Sequence, residues 1–163
     1  WLCVTLLSVL YFIYCNEMWN QLDGLTGLLN QSSYLNRTEE MRYSGGVLIV
    51  FDVNDDYGHL QGDICLAAIA DCIKKAYACY GYCYRIGGDE FCVLLKNGEK
   101  EEECLHEFMN RLEERRKEIT FLPIVSFGSS VFSGEDINVV KEIADRNMYQ
   151  CKKEQKNRVA SQL

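Results

Sequence analysis

A chain of 163 residues with one proline and no low-complexity tract is about one globular domain's worth of sequence. Its formal charge of −7 leaves no basic stripe for nucleic acid, although a bound metal can still offset phosphate charge locally. The nine cysteines are scattered, often at apolar positions such as Cys65, Cys72 and Cys92, and none has Cys-x-x-Cys spacing. They read as reduced, mostly buried thiols of a cytosolic domain rather than a disulfide or zinc framework.

In chain order, Trp1 to Cys15 carries no charge, and only Thr5 and Ser8 are overtly polar. A helix apolar on every side is buried or in lipid. Fifteen residues fall short of the roughly 20 that span a bilayer, and no Lys or Arg follows until Arg37. Two readings stand: the end of a transmembrane helix, or a packed or dimerising helix. A turn-rich stretch, Asp23 to Asn30, leads into a helix over 28–42 that ends near Ser44-Gly45-Gly46. Val47 to Val53 is an apolar run broken only by Asp52, as in a buried strand. A turn over 54–58 precedes a helix over 60–79. A hairpin is expected at 82–96, an amphipathic helix at 99–119, a strand at 122–132 and a last helix at 137–153. The inner face of that last helix is read as Val140, Ile143, Ala144 and Met148. This order makes an α/β or α+β sandwich with a mainly antiparallel sheet.

The hairpin carries the most informative stretch, Arg85-Ile-Gly-Gly-Asp-Glu-Phe91. Its flanks are aromatic and β-branched, so Gly87 and Gly88 sit at the tip, where positive φ and close backbone approach cost little. Bare backbone beside Asp89 and Glu90 can admit a phosphate ligand and hold a divalent metal against it. Taken alone, the same four residues also suit a solvated acidic turn. Asp52 ends a buried strand, where a carboxylate is costly unless it is paired or binds metal. Asp52 and Asp89 can share a magnesium ion if their strands are neighbours. A turn-capping Asp52 is the plainer alternative. Asn54 and Asp63 flank a helix start, where an amide and a carboxylate can read a guanine edge or simply cap the helix. Lys152, Lys153 and Lys156 form a basic cluster that can clamp phosphates or complement the helix dipole.

Four separated motifs then resemble, in order, those of the GGDEF family, the diguanylate cyclases of bacterial second-messenger signalling. They are Asp23-Gly-Leu-Thr-Gly-Leu-Leu-Asn30, Asn54-Asp-Asp-Tyr-Gly-His-Leu-Gln-Gly-Asp63, Gly87 to Phe91, and Ala144-Asp145 with Met148-Tyr-Gln-Cys-Lys152. The resemblance covers about residues 23–158, after an apolar segment at 1–22. It implies a central, mainly antiparallel five-stranded sheet of the nucleotide-cyclase or palm kind, with the signature on a β-hairpin. It implies condensation of two GTP into cyclic di-GMP and two pyrophosphates by a homodimer using Mg²⁺ or Mn²⁺. The domain would be cytoplasmic, with residues 1–15 either tethering it to the inner face of the bacterial membrane or pairing as helices. By the same resemblance Asp52 and Asp89 bind metal, and Glu90 assists at the reacting 3′-hydroxyl or the metal. Asn54 and Asp63 read guanine, Gly87 and Gly88 admit the nucleotide, and Lys152 and Lys156 hold phosphates. His59 is read as structural.

Two departures bear on this. The family places about six more residues between the strand Asp and the Asn-Asp pair, whereas Asp52 and Asn54 are two apart. The absent piece is the loop whose amides cradle the β- and γ-phosphates. A degenerate, non-catalytic domain that binds GTP or a protein partner is therefore the alternative reading. The family's product-inhibition motif would also put Arg at 78 and Asp at 81, where this chain has Ala78 and Gly81. No product-inhibition site is expected.

Overall fold

The computed structural model describes residues 1–53 and 59–160, with side-chain detail over 1–53 and 60–153. Helix α1 (Leu2–Asn20) precedes α2 (Gln31–Met41), strand β1 (Gly46–Val53) and α3 (His59–Tyr77). Strands β2 (Gly81–Arg85) and β3 (Glu90–Leu95) follow, then α4 (Glu101–Glu118), β4 (Val125–Phe132) and α5 (Ile137–Ala160). The sheet has four strands among the described residues, in the order β2-β3-β1-β4, rather than the five expected. Every neighbouring pair is antiparallel.

Strand β1 is covered on both faces, which explains its almost unbroken apolar run. Val47, Ile49, Phe51 and Val53 face α3 and α4, where Ile69, Ile73, Tyr77, Phe108 and Leu112 close the larger core. Phe51 anchors it, with ring centroids 5.1 Å from Phe108 and 5.8 Å from Tyr77. Leu48 and Val50 face the other way, onto Tyr34, Tyr84, Val140 and Ala144. By the same alternation Asp52 lies on this second face, the side of α2 and α5.

Several boundaries differ from the expected ones for identifiable reasons. Helix α2 begins at Gln31 because the Asn30 side chain accepts from the Ser33 amide, an N-cap that fixes the first turn. Strand β4 begins at Val125 and not at Leu122; Pro123 has no N–H to give to a ladder. Helix α5 runs seven residues past Lys153, to Ala160. Ile143 is 40% exposed and is not part of its inner face. The thiols of Cys65, Cys72, Cys83, Cys92 and Cys104 are buried, as their apolar settings imply, whereas Cys3 and Cys79 are exposed.

Helix α5 lies against β4 at Gly128. A Cβ there would run into the Ala144 carbonyl and the Met148 amide, with the Met148 Cα at 2.8 Å. Glycine is needed here for close approach and not for an unusual φ. Because Ala144, Met148 and Lys152 are four residues apart, the contact also aims Lys152 along the same helix face. Gly128→Ala should therefore push α5 off the sheet and cost about 1–3 kcal/mol. Urea denaturation would measure it, and unchanged stability would show that the approach is not tight.

Candidate functional site

The site lies at the end of β1 beside the β2–β3 hairpin. In the antiparallel register Asp52 stands opposite Glu90, so the two carboxylates emerge on the same face of the sheet. The backbone N–H of Val53 donates to the Asp89 carbonyl at 3.1 Å, tying the strand end to the signature. The Asp89 residue itself is exposed. Asp52 at the end of β1 and Asp89, in the turn just before β3, are thus held side by side by backbone pairing.

The hairpin tip differs from expectation in one respect. Neither Gly87 nor Gly88 has positive φ. At Gly87 the Glu90 side chain folds back over the backbone, so that an added Cβ would sit a tight 3.3 Å from both its Cβ and its Oε2. Gly88 faces open space, and its carbonyl is held by a fork. Arg85 donates to that oxygen from Nη2 at 2.7 Å and from Nε at 3.2 Å. Its remaining Nη1 donates to Asp23 Oδ1 at 3.1 Å. Asp23 in turn accepts from the Thr26 hydroxyl at 2.6 Å and the Thr26 amide at 2.9 Å. Burial pushes the Asp23 carboxyl up, but the bonds from Thr26 and the Arg85 charge outweigh it and hold the group below the usual carboxylate range. The N-terminal motif and the signature hairpin are therefore one hydrogen-bonded unit, with Asp23 and Arg85 62 residues apart in sequence.

Helix α5 supplies the cation. Lys152 Nζ is paired with Asp52 Oδ2, with side chains only 28% and 21% exposed. Lys153 lies over the Tyr149 ring, 4.7 Å from its centroid. Nearer the start of the same helix, Lys141 donates to Asp145 at 3.0 Å. Asp63 is exposed on α3. Asn54 and the side chain of Lys156 lie outside the described residues, so their expected roles stay with the sequence. The structure thus brings together Asp52, Glu90, Lys152 and the Asp89 backbone, with Gly87 and Gly88 alongside. Sequence reasoning missed Arg85 as the clamp on the tip; the available signal was a cation two residues before the double glycine.

The donor chemistry fits a hard divalent cation. Carboxylate oxygens are what Mg²⁺ and Mn²⁺ favour, and Mg²⁺ commonly takes one or two of them plus substrate phosphates. Among the described residues no group of three or more metal-ligating side chains forms. Asp52, Asp89 and Glu90 are the residues that would hold such an ion.

An antiparallel sheet flanked by helices, with an acidic Gly-Gly hairpin at its strand ends and a helix lysine facing it, is the arrangement of a GGDEF domain. The family described as "Diguanylate cyclase, GGDEF domain" matches residues 20–158, and the chain belongs to that family. Diguanylate cyclase DgcZ of Escherichia coli (strain K12) is 30% identical over 164 residues, covering 91% of this chain and 55% of that protein. Probable diguanylate cyclase DgcI of the same organism is 31% identical over 146 residues, 81% of this chain and 31% of that one. The chain thus spans about a third to a half of these relatives' length. The coiled coil and GGDEF domain of DgcB from Caulobacter crescentus, solved with c-di-GMP, superposes with a TM-score of 0.77 at 21% identity. That match covers 93% of this chain and 91% of that one, and it shows the fold.

If Arg85 clamps the tip, Arg85→Ala should free residues 86–89. Losing charge-assisted bonds at a part-buried site should cost about 1.5–3 kcal/mol. Amide hydrogen exchange across 86–90 should speed up, and Arg85→Lys, which lacks the fork, should rescue it only partly. Exchange unchanged from wild type would remove Arg85 from this role.

Proposed function

We propose that this domain condenses two GTP into cyclic di-GMP and two pyrophosphates, working as a homodimer in which each protomer presents one GTP. The observation that carries this is the meeting of Asp52, Glu90 and Lys152 at the strand ends, beside a glycine tip fixed by Arg85. Membership of the family supports it.

The chain's own residues divide the work. Gly87 and Gly88 leave room for the nucleotide against the hairpin. Lys152, with Lys156, neutralises phosphate charge. Glu90 orients the attacking 3′-hydroxyl. Asp63 and Asn54 accept from and donate to the guanine edge. Asp52 and Asp89, with Glu90 beside them, would hold Mg²⁺ or Mn²⁺, which when bound stabilises charge on the phosphates. Positioning and charge neutralisation are what phosphoryl transfer needs.

Helix α1 fits the tether. It is the one described helix long and apolar enough to cross a membrane, and none of it is buried. Its 19 residues span about 28 Å at 1.5 Å per residue. Tyr14 and Trp19 near its C-terminal end are exposed, as at a membrane interface. The domain would then lie on the cytoplasmic side of the bacterial membrane, where two copies meet at raised local concentration.

A second reading rests on the short link between Asp52 and Asn54, which drops the family's phosphate-cradling loop. On that reading the domain binds GTP, or a protein partner, without turnover.

Purified protein with GTP and Mg²⁺ should release cyclic di-GMP, with a rate rising steeply with protein concentration and higher in a leucine-zipper fusion. GTP should be preferred to ATP roughly ten- to a hundredfold, since adenine offers Asp63 no donor pair. Added product should not inhibit at the Ala78–Gly81 position. Asp89→Ala should lose most of the benefit of added metal. Absence of product from both the bare and the fused protein would leave the binding-module reading.

A further inference from the structure

The carboxylate assigned to metal already has a cation on it. Lys152 Nζ is paired with Asp52 across 100 residues of sequence, largely withdrawn from water. Among the described residues it is the one charged partner of Asp52. The nearby cation acting on Glu90, Lys141, is committed to Asp145 at 3.0 Å. The pairing is not a loose surface encounter. Lys152 sits one turn beyond Met148, and Met148 is locked onto β4 at Gly128. The lysine therefore cannot drift far while α5 stays docked.

An ammonium and a divalent ion cannot share one carboxylate cheaply. At contact distances their mutual repulsion is large, and screening by salt is weak for groups half-hidden from water. We infer that Lys152 is a tethered counter-ion that holds the Asp52 position against free divalent metal until a triphosphate draws it away. Phosphate oxygens give the ammonium a new partner, and Asp52 is then released to the incoming ion. Metal and nucleotide thus enter as a coupled pair, each raising affinity for the other by the same factor. This rests on the reading of Asp52 as a metal ligand.

The test is Mn²⁺ binding without nucleotide, followed by the loss of the free-ion electron paramagnetic resonance signal. Wild type should bind weakly. Lys152→Met, which keeps the side chain's bulk and removes its charge, should bind roughly tenfold more tightly. Lys152→Gln gives the same comparison if the Met variant does not fold, as judged by circular dichroism. Lys152→Arg keeps the charge and should remain as weak as wild type. Adding Asp52→Asn to Lys152→Met should abolish the gain. Equal Mn²⁺ affinity in wild type and the neutral variants, with binding still dependent on Asp52, overturns the counter-ion role and leaves the metal site standing. Binding indifferent to Asp52 overturns both.

Discussion

The structure turns on Asp52, a carboxylate at the end of a strand buried on both faces. Phe51 and Val53 on either side of it point into the larger core, so the backbone that carries it is held by aromatic packing rather than by the site. A charge in that position must be compensated. The fold compensates it from a distance, by docking α5 across β4 and β1 so that Lys152 meets it. Glu90, opposite in the register, adds a second carboxylate to the same face. Packing thus decides where the charges stand, and the charges decide what the strand end can bind.

A second constraint runs along the other edge of the site. The Asp23–Arg85–Gly88 chain joins the turn that follows α1 to the glycine tip. The C-terminal end of α1 is also fastened to α2, since the Asn30 side-chain Nδ2 donates to the Asn20 carbonyl at 2.6 Å and the Ser33 hydroxyl donates to the Gln21 carbonyl at 3.0 Å. Helix, turn and hairpin are connected by hydrogen bonds at each step, so a change in the placement of α1 has a physical route to the signature.

Local signals carry most of the element order. Helical periodicity locates the helices packed on the sheet, and an almost unbroken apolar run locates β1, because each such element hides one face or both from water. What they do not show is pairing. Nothing in the residues around Lys152 says that it reaches Asp52 rather than capping its own helix, since that depends on the Gly128 contact between α5 and β4. Ile143 fits the helical period yet is exposed, and the period alone does not say how much of the stripe the sheet covers. At the tip, the double glycine suggests positive φ; neither glycine has it, and the Glu90 side chain instead lies close against Gly87, a contact that periodicity does not encode. The family's fifth strand is missing among the described residues, and it is the resemblance, not the hydrophobic pattern, that implies it.

The central claim is that one strand end, one hairpin and one helix lysine together form a nucleotide site. A crystal structure of the protein with a non-hydrolysable GTP analogue and Mn²⁺ tests it most directly. The account predicts anomalous Mn²⁺ density at Asp52 and a Lys152 ammonium moved onto the triphosphate, with the base towards Asp63. Nucleotide bound away from the Gly87–Gly88 tip, or Lys152 still on Asp52 beside a bound triphosphate, would contradict it.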